Sequence, residues 1–146
     1  GYIISPNIEA MKQVIKIQYY ISACSNDAMQ YAVLEAMEKA NDYPTMMAEE
    51  FKQRCDLIVD RLNAMPGVEC QKPKGAIYVF PRVTVDGMNS QEVAMELLKD
   101  GVLCSPGSAF GPSGEGHLRF AYTISQADIS RGMDKVEETL LRLQNA

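Results

Sequence analysis

The chain has 146 residues, 47% of them hydrophobic and 23% charged. A single domain of that size buries roughly 68–70% of its unfolded surface, enough for a real core. A formal net charge of −5 excludes an electrostatic basis for binding nucleic acid, which needs Lys and Arg to neutralise phosphates, and no basic cluster suits an anionic membrane surface.

No apolar run approaches the roughly 20 residues needed to span a bilayer. Cys24, Cys55, Cys70 and Cys104 form no C-x-x-C, and His117 is the lone imidazole, so no metal centre is expected. With no signal peptide and no tight cysteine framework, reduced thiols in a cytoplasm are the simpler expectation. The chain opens on Gly1-Tyr2-Ile3-Ile4, an apolar stretch without Met or lead-in, which reads as a cut at a domain boundary. A fragment of a longer protein is therefore expected.

In chain order, Asn7 to Tyr20 is predicted helical. A second helix is predicted from Ser25, as N-cap, to about Ala40, with Met29, Ala32, Val33, Ala36, Met37 and Ala40 on one face and Asn41 and Pro44 marking its end. A longer helix follows from Pro44 to about Ala64, striped by Met47, Phe51, Cys55, Ile58 and Leu62 and stopped by Pro66-Gly67. Val68 to Gln71 is a short extended piece, and Ala76 to Phe80, rich in β-branched and aromatic residues, is the strongest strand.

Asn89-Ser90-Gln91-Glu92 reads as a capping box opening a helix to about Lys99, with Val93, Ala94, Leu97 and Leu98 inward and Gly101 ending it. Val102 to Cys104 and Leu118 to Ala121 are two more short strands. Ser125 to Asp128 starts a last helix with Ile129, Met133, Val136, Leu140 and Leu143 on one face. Helices followed by β-β-α-β-β and a final helix predict an α+β, two-layer sandwich: a short, mainly antiparallel sheet with helices packed on one face.

The stretch from Ser105 to Ser125 carries the candidate chemistry. Ser105-Pro106-Gly107-Ser108-Ala109-Phe110-Gly111 is a turn-rich loop, and Gly114-Glu115-Gly116-His117 leads into Leu118-Arg119-Phe120-Ala121-Tyr122. An Arg amid a short apolar strand is costly to bury unless an anion meets it, and its planar fork matches a carboxylate with two parallel hydrogen bonds. Arg119 is thus a candidate for binding a substrate carboxylate. An edge-strand Arg facing water, or one paired internally with Glu115, fits the same spacing.

These residues resemble a known family. Gly-Val-Leu-Cys-Ser-Pro-Gly-Ser-Ala-Phe-Gly followed by Gly-His-Leu-Arg-Phe-Ala-Tyr is similar to the C-terminal signature of fold-type I, class I/II aminotransferases of the aspartate aminotransferase type. Gly75-Ala76-Ile77-Tyr78-Val79-Phe80-Pro81, Pro66-Gly67-Val68 and Gly1-Tyr2-Ile3-Ile4 resemble further family segments, in the same order and over essentially the whole chain.

The resemblance implies that Arg119 binds the α-carboxylate of an amino acid, positioning it rather than moving a proton. It implies the small domain of an enzyme that uses pyridoxal 5'-phosphate to pass an amino group between an amino acid, aspartate-like or of broad range, and a 2-oxo acid. Residues 1–24 are then an interdomain segment and 25–146 the small domain proper. A missing N-terminal large domain and a homodimer complete the expected enzyme.

The cofactor lysine and the other cofactor-binding groups would lie upstream of Gly1. No residue of this chain is assigned to catalysis or to the cofactor, and the chain alone is expected to be inactive. A lyase of the same fold, or a non-catalytic effector-sensing domain, would share the arginine.

Other features take plainer readings. His117 has no Ser or Cys partner in a nucleophile motif. The Ser105–Gly116 loop lacks a P-loop pattern and reads as a connection. Met29, Met37, Met47 and Met133 fall at helical spacing, which reads as core filling. Tyr19 and Tyr20 suit an interface or simple packing.

Overall fold

A computed structural model describes residues 1–40 and 42–145; the expected role of Asn41 as a helix stop lies outside them. The chain divides into two compact units, Gly1–Pro44 and Thr45–Ala146.

The first unit holds two helices, α1 (Ile8–Ser22) and α2 (Asp27–Lys39). Asn7 caps α1 by accepting from Ala10 N at 3.0 Å. Asn26, not Ser25, caps α2: its backbone is extended and its Oδ1 accepts from Met29 N at 3.2 Å. An Asn is at least as good a cap as a Ser, and here it stands one residue nearer the first turn. Neither helix has a buried residue, so Met29 and Met37 are exposed rather than core-filling. Periodicity fixes which face of a helix is apolar, not what covers it. Tyr19 and Tyr20 are also exposed, and their rings meet edge to face at 5.9 Å.

The third helix, α3 (Tyr43–Asn63), buries Cys55, Ile58, Val59 and Leu62. It is followed by β1 (Val68–Glu69), β2 (Tyr78–Val79), β3 (Arg82–Val83), α4 (Ser90–Lys99), β4 (Ser105–Pro106), two 3-10 turns (Gly107–Phe110 and Pro112–Gly114), β5 (Leu118–Ala121) and α5 (Gln126–Gln144). Every strand pair is antiparallel. β1 pairs with β3, and β5 is the central strand of β2-β5-β4. A bridge between Arg82 and His117 joins the two sheets. The fold is α+β, as expected, with small antiparallel sheets.

Val79, Leu118 and Phe120 point from the sheet into a core shared with Ile58 and Leu62 of α3, Leu97 of α4, and Val136 and Leu140 of α5. The alternate residues, Tyr78, Phe80 and Ala121, are exposed, and Arg119 is half-buried. The period-2 alternation of a strand therefore separates a helix-covered face from an open one.

Several expected elements differ. The extended piece from Val68 ends at Glu69, because the Asn63 side chain takes both Cys70 N (2.8 Å) and Cys70 O (3.0 Å). The strand expected over Ala76–Phe80 shrinks to Tyr78–Val79, because Ala76 sits at φ +65 and Pro81 has no N–H to continue a ladder.

The strand expected at Val102–Cys104 is displaced to Ser105–Pro106. Val102 N bonds Leu97 O (2.9 Å) and Gly101 N bonds Leu98 O (3.0 Å), with Gly101 at φ +87, so these residues close the end of α4 in a Schellman motif. Leu98, expected inward, is exposed, because Ser90, Val93, Ala94 and Leu97 fill the buried stripe of this short helix. The capping box is present: Asn89 Oδ1 accepts from Glu92 N (3.0 Å) and Glu92 Oε2 accepts from Asn89 N (2.8 Å).

Candidate functional site

Arg119 lies at the second position of β5, opposite Ser105 of β4, on the open face of the sheet. Two rings stand over its guanidinium, with the carbon 4.5 Å from the centroid of Tyr78 and 4.4 Å from that of Phe110. They arrive from the two neighbours of β5: Tyr78 from β2, and Phe110 from the turn that follows β4. Both distances are within cation–π range, and the N–H groups of a guanidinium lie in its plane. One in-plane contact is present, from Nη2 to Ser105 Oγ at 3.5 Å, at the limit of a hydrogen bond. Tyr78 reaches Arg119 because it pairs with Ala121, two residues further along the same face of β5.

The internal partner that the spacing allowed for Arg119 is engaged elsewhere. Glu115 accepts from Ser90 N (2.6 Å), Ser90 Oγ (3.1 Å) and Gly116 N (2.9 Å). These bonds, the one from Ser90 N first, hold its carboxyl below the usual glutamate range; burial opposes them. Among the described residues no carboxylate forms an ion pair with Arg119. Its neighbours on the open face are the two rings and the Ser105 hydroxyl.

The loop that carries Phe110 is tied on both sides. Gly107 N donates to His117 O (2.7 Å) and His117 N donates to Gly114 O (3.1 Å). Ser90 Oγ donates to Glu115 and accepts from Ser108 N (3.3 Å), fastening the loop to the start of α4. Phe80 packs edge-on against Phe110 (6.0 Å), and His117 stacks on Phe80 (5.1 Å, 9°). His117 is thus a packing residue in this geometry, with Nδ1 3.1 Å from Glu115 O. Grooves of about 490 Å³ beside Leu103 and Ile124, and of about 450 Å³ beside Cys55 and Tyr122, are not lined by the arginine.

The sequence over residues 1–136 matches the family "Aminotransferase class I and II". The chain belongs to that family. A probable N-acetyl-LL-diaminopimelate aminotransferase of Bacillus subtilis (strain 168) is 35% identical over all of this chain and 37% of its own length. An aspartate aminotransferase of Pyrococcus horikoshii is 33% identical over 96% of this chain and 36% of its own. Among solved structures, an aromatic aminotransferase from Pyrococcus horikoshii OT3 superimposes with a TM-score of 0.82 at 33% identity, covering 90% of this chain and 36% of that one. The chain spans little more than a third of the length of the curated relatives it matches.

An aminotransferase of this family implies pyridoxal phosphate in the full-length protein. The lysines of this chain do not fit the covalent attachment of that group. A lysine nucleophile is activated by desolvation or a neighbouring cation, which lowers its pKa. All eight lysines here are exposed. Lys12, Lys39, Lys72 and Lys99 are paired with Glu9, Glu35, Asp56 and Glu96, and the Asp56 carboxylate pushes the Lys72 ammonium up, the wrong direction.

The sequence singles out Arg119 but not Tyr78 or Phe110. The signal for Tyr78 is the alternation in Tyr78-Val79-Phe80 beside the same alternation in Leu118-Arg119-Phe120. That pattern places Tyr78, Phe80 and Arg119 on one face once the register is known. Phe110 carries no such signal, since its place is set by the folding of a loop.

Proposed function

We propose that this chain is the substrate-carboxylate-binding part of a pyridoxal-phosphate-dependent aminotransferase. Residues 25–146 form its small domain and 1–24 the segment leading to a large domain. In the complete enzyme, cytoplasmic and homodimeric, an amino group passes between an amino acid and a 2-oxo acid. Arg119 grips the α-carboxylate through its in-plane N–H groups and fixes the orientation of the Cα–H bond. The donor is aspartate-like or of broad range; the names of the relatives, aspartate and aromatic among them, support the class without choosing the side chain.

The single observation that carries this reading is the arginine itself: a guanidinium flanked by rings on an open face with no carboxylate of its own. The chain alone is inactive in this reading, since none of its lysines suits the cofactor. In the full-length enzyme, Arg119→Lys keeps the charge but loses the fork. Losing one charge-assisted bond of about 1.5–3 kcal/mol lowers kcat/KM about 10–150-fold, mostly through KM. Unchanged kinetics with a small amino acid donor would remove the assignment.

A further inference from the structure

We propose that Tyr78 and Phe110 are positioning residues: together they form an aromatic clamp that sets the plane of the Arg119 guanidinium so that its edge, and only its edge, is presented to a carboxylate. This rests on the reading of Arg119 as the carboxylate-binding group.

The geometry carries the proposal. Ring centroids lie 4.5 and 4.4 Å from the guanidinium carbon, and the two rings come from strands or turns on opposite sides of β5. A free Arg side chain loses much rotamer entropy when it is fixed. Flanking rings fix it before the ligand arrives, so that loss no longer falls on binding. Rings at cation–π distance also displace part of the water that would otherwise compete for the guanidinium. The clamp is buttressed on one side by Phe80 against Phe110, and beyond it by His117 on Phe80.

Core packing does not account for the rings. Tyr78 is 40% and Phe110 51% exposed. Neither belongs to the buried cluster that holds the sheet to α3, α4 and α5. Removing either ring should therefore cost little stability while freeing the arginine.

The experiment uses the full-length enzyme and whichever of L-aspartate, L-alanine and L-phenylalanine turns over fastest, alongside the α-carboxamide of the same donor. Tyr78→Leu and Phe110→Leu are each expected to raise KM for the amino acid about 3–10-fold, with kcat within about twofold. Tyr78→Phe and Phe110→Tyr keep a ring over the cation and should stay near wild type. KM for the neutral carboxamide should change little in any of the four, and melting temperatures should remain close.

If Arg119→Lys cripples the enzyme while both Leu variants leave KM unchanged, the clamp is wrong and the arginine's role stands. A rise in KM equal for amino acid and carboxamide marks a general distortion and also overturns the clamp. If Arg119→Lys itself has no effect, both readings fall together.

Discussion

Gly107 and Gly114 touch backbone to backbone: a Cβ built on Gly107 would lie 2.0 Å from Gly114 O, and one on Gly114 would lie 2.1 Å from Gly107 O. Neither approach is possible for a residue with a side chain. The contact folds the Ser105–Gly116 loop onto itself, and Phe110 sits in the span that it closes.

Gly107→Ala should therefore destabilise the chain by about 3 kcal/mol, the upper end of what forced overpacking costs, because the obstructing atoms are backbone and cannot rotate away. Urea unfolding measures it. A loss under about 0.5 kcal/mol would mean that the loop relaxes freely and that the glycine contact does not seat Phe110.

Glu115 links that loop to the first turn of α4, and its carboxyl titrates below the usual range because Ser90 N, Gly116 N and Ser90 Oγ donate to it. A folded-state pKa below the unfolded one stabilises the fold above the unfolded value and loses that stability as pH falls through the folded one. Glu115→Gln should weaken the chain at neutral pH, and the gap to wild type should close as pH drops below about 4.5, the ordinary value of the group. A gap that is constant from neutral to acid pH, followed by urea unfolding at each pH, would show that the charge is irrelevant.

Much of this arrangement is legible in the sequence. The Asn89–Glu92 capping box, the Ser125 cap, the stripe of α5 and the strand Leu118–Ala121 follow from local chemistry, and the structure has them where the residues put them. What local chemistry does not encode is pairing. The Arg82–Val83 strand gives no signal because two residues carry no periodicity. Val102–Cys104 reads as a strand, yet the Schellman closure of α4 takes Val102 first. The exposed α1 and α2 show the same limit from the other side, since their apolar stripes say nothing of what covers them. The aromatic flanks of Arg119 depend on the register of β2 against β5, which no window of sequence contains.

The four thiols provide an independent check of burial. Burial pushes the Cys70 and Cys104 thiols up to about 11, Cys70 with a smaller contribution from Cys55 nearby, and Cys55 is itself in the core, whereas Cys24 is exposed. The thiolate is the reacting form, so a raised pKa lowers its population at neutral pH, and burial further blocks access. At a pH of about 7.5 a charged alkylating reagent should modify Cys24 first and the other three at least about tenfold more slowly. Raising the pH toward about 10 should speed Cys104, which is only partly buried, before Cys55. Rapid modification of Cys70 under native conditions would show that the turn held by Asn63, which bonds both Cys70 N (2.8 Å) and Cys70 O (3.0 Å), opens readily.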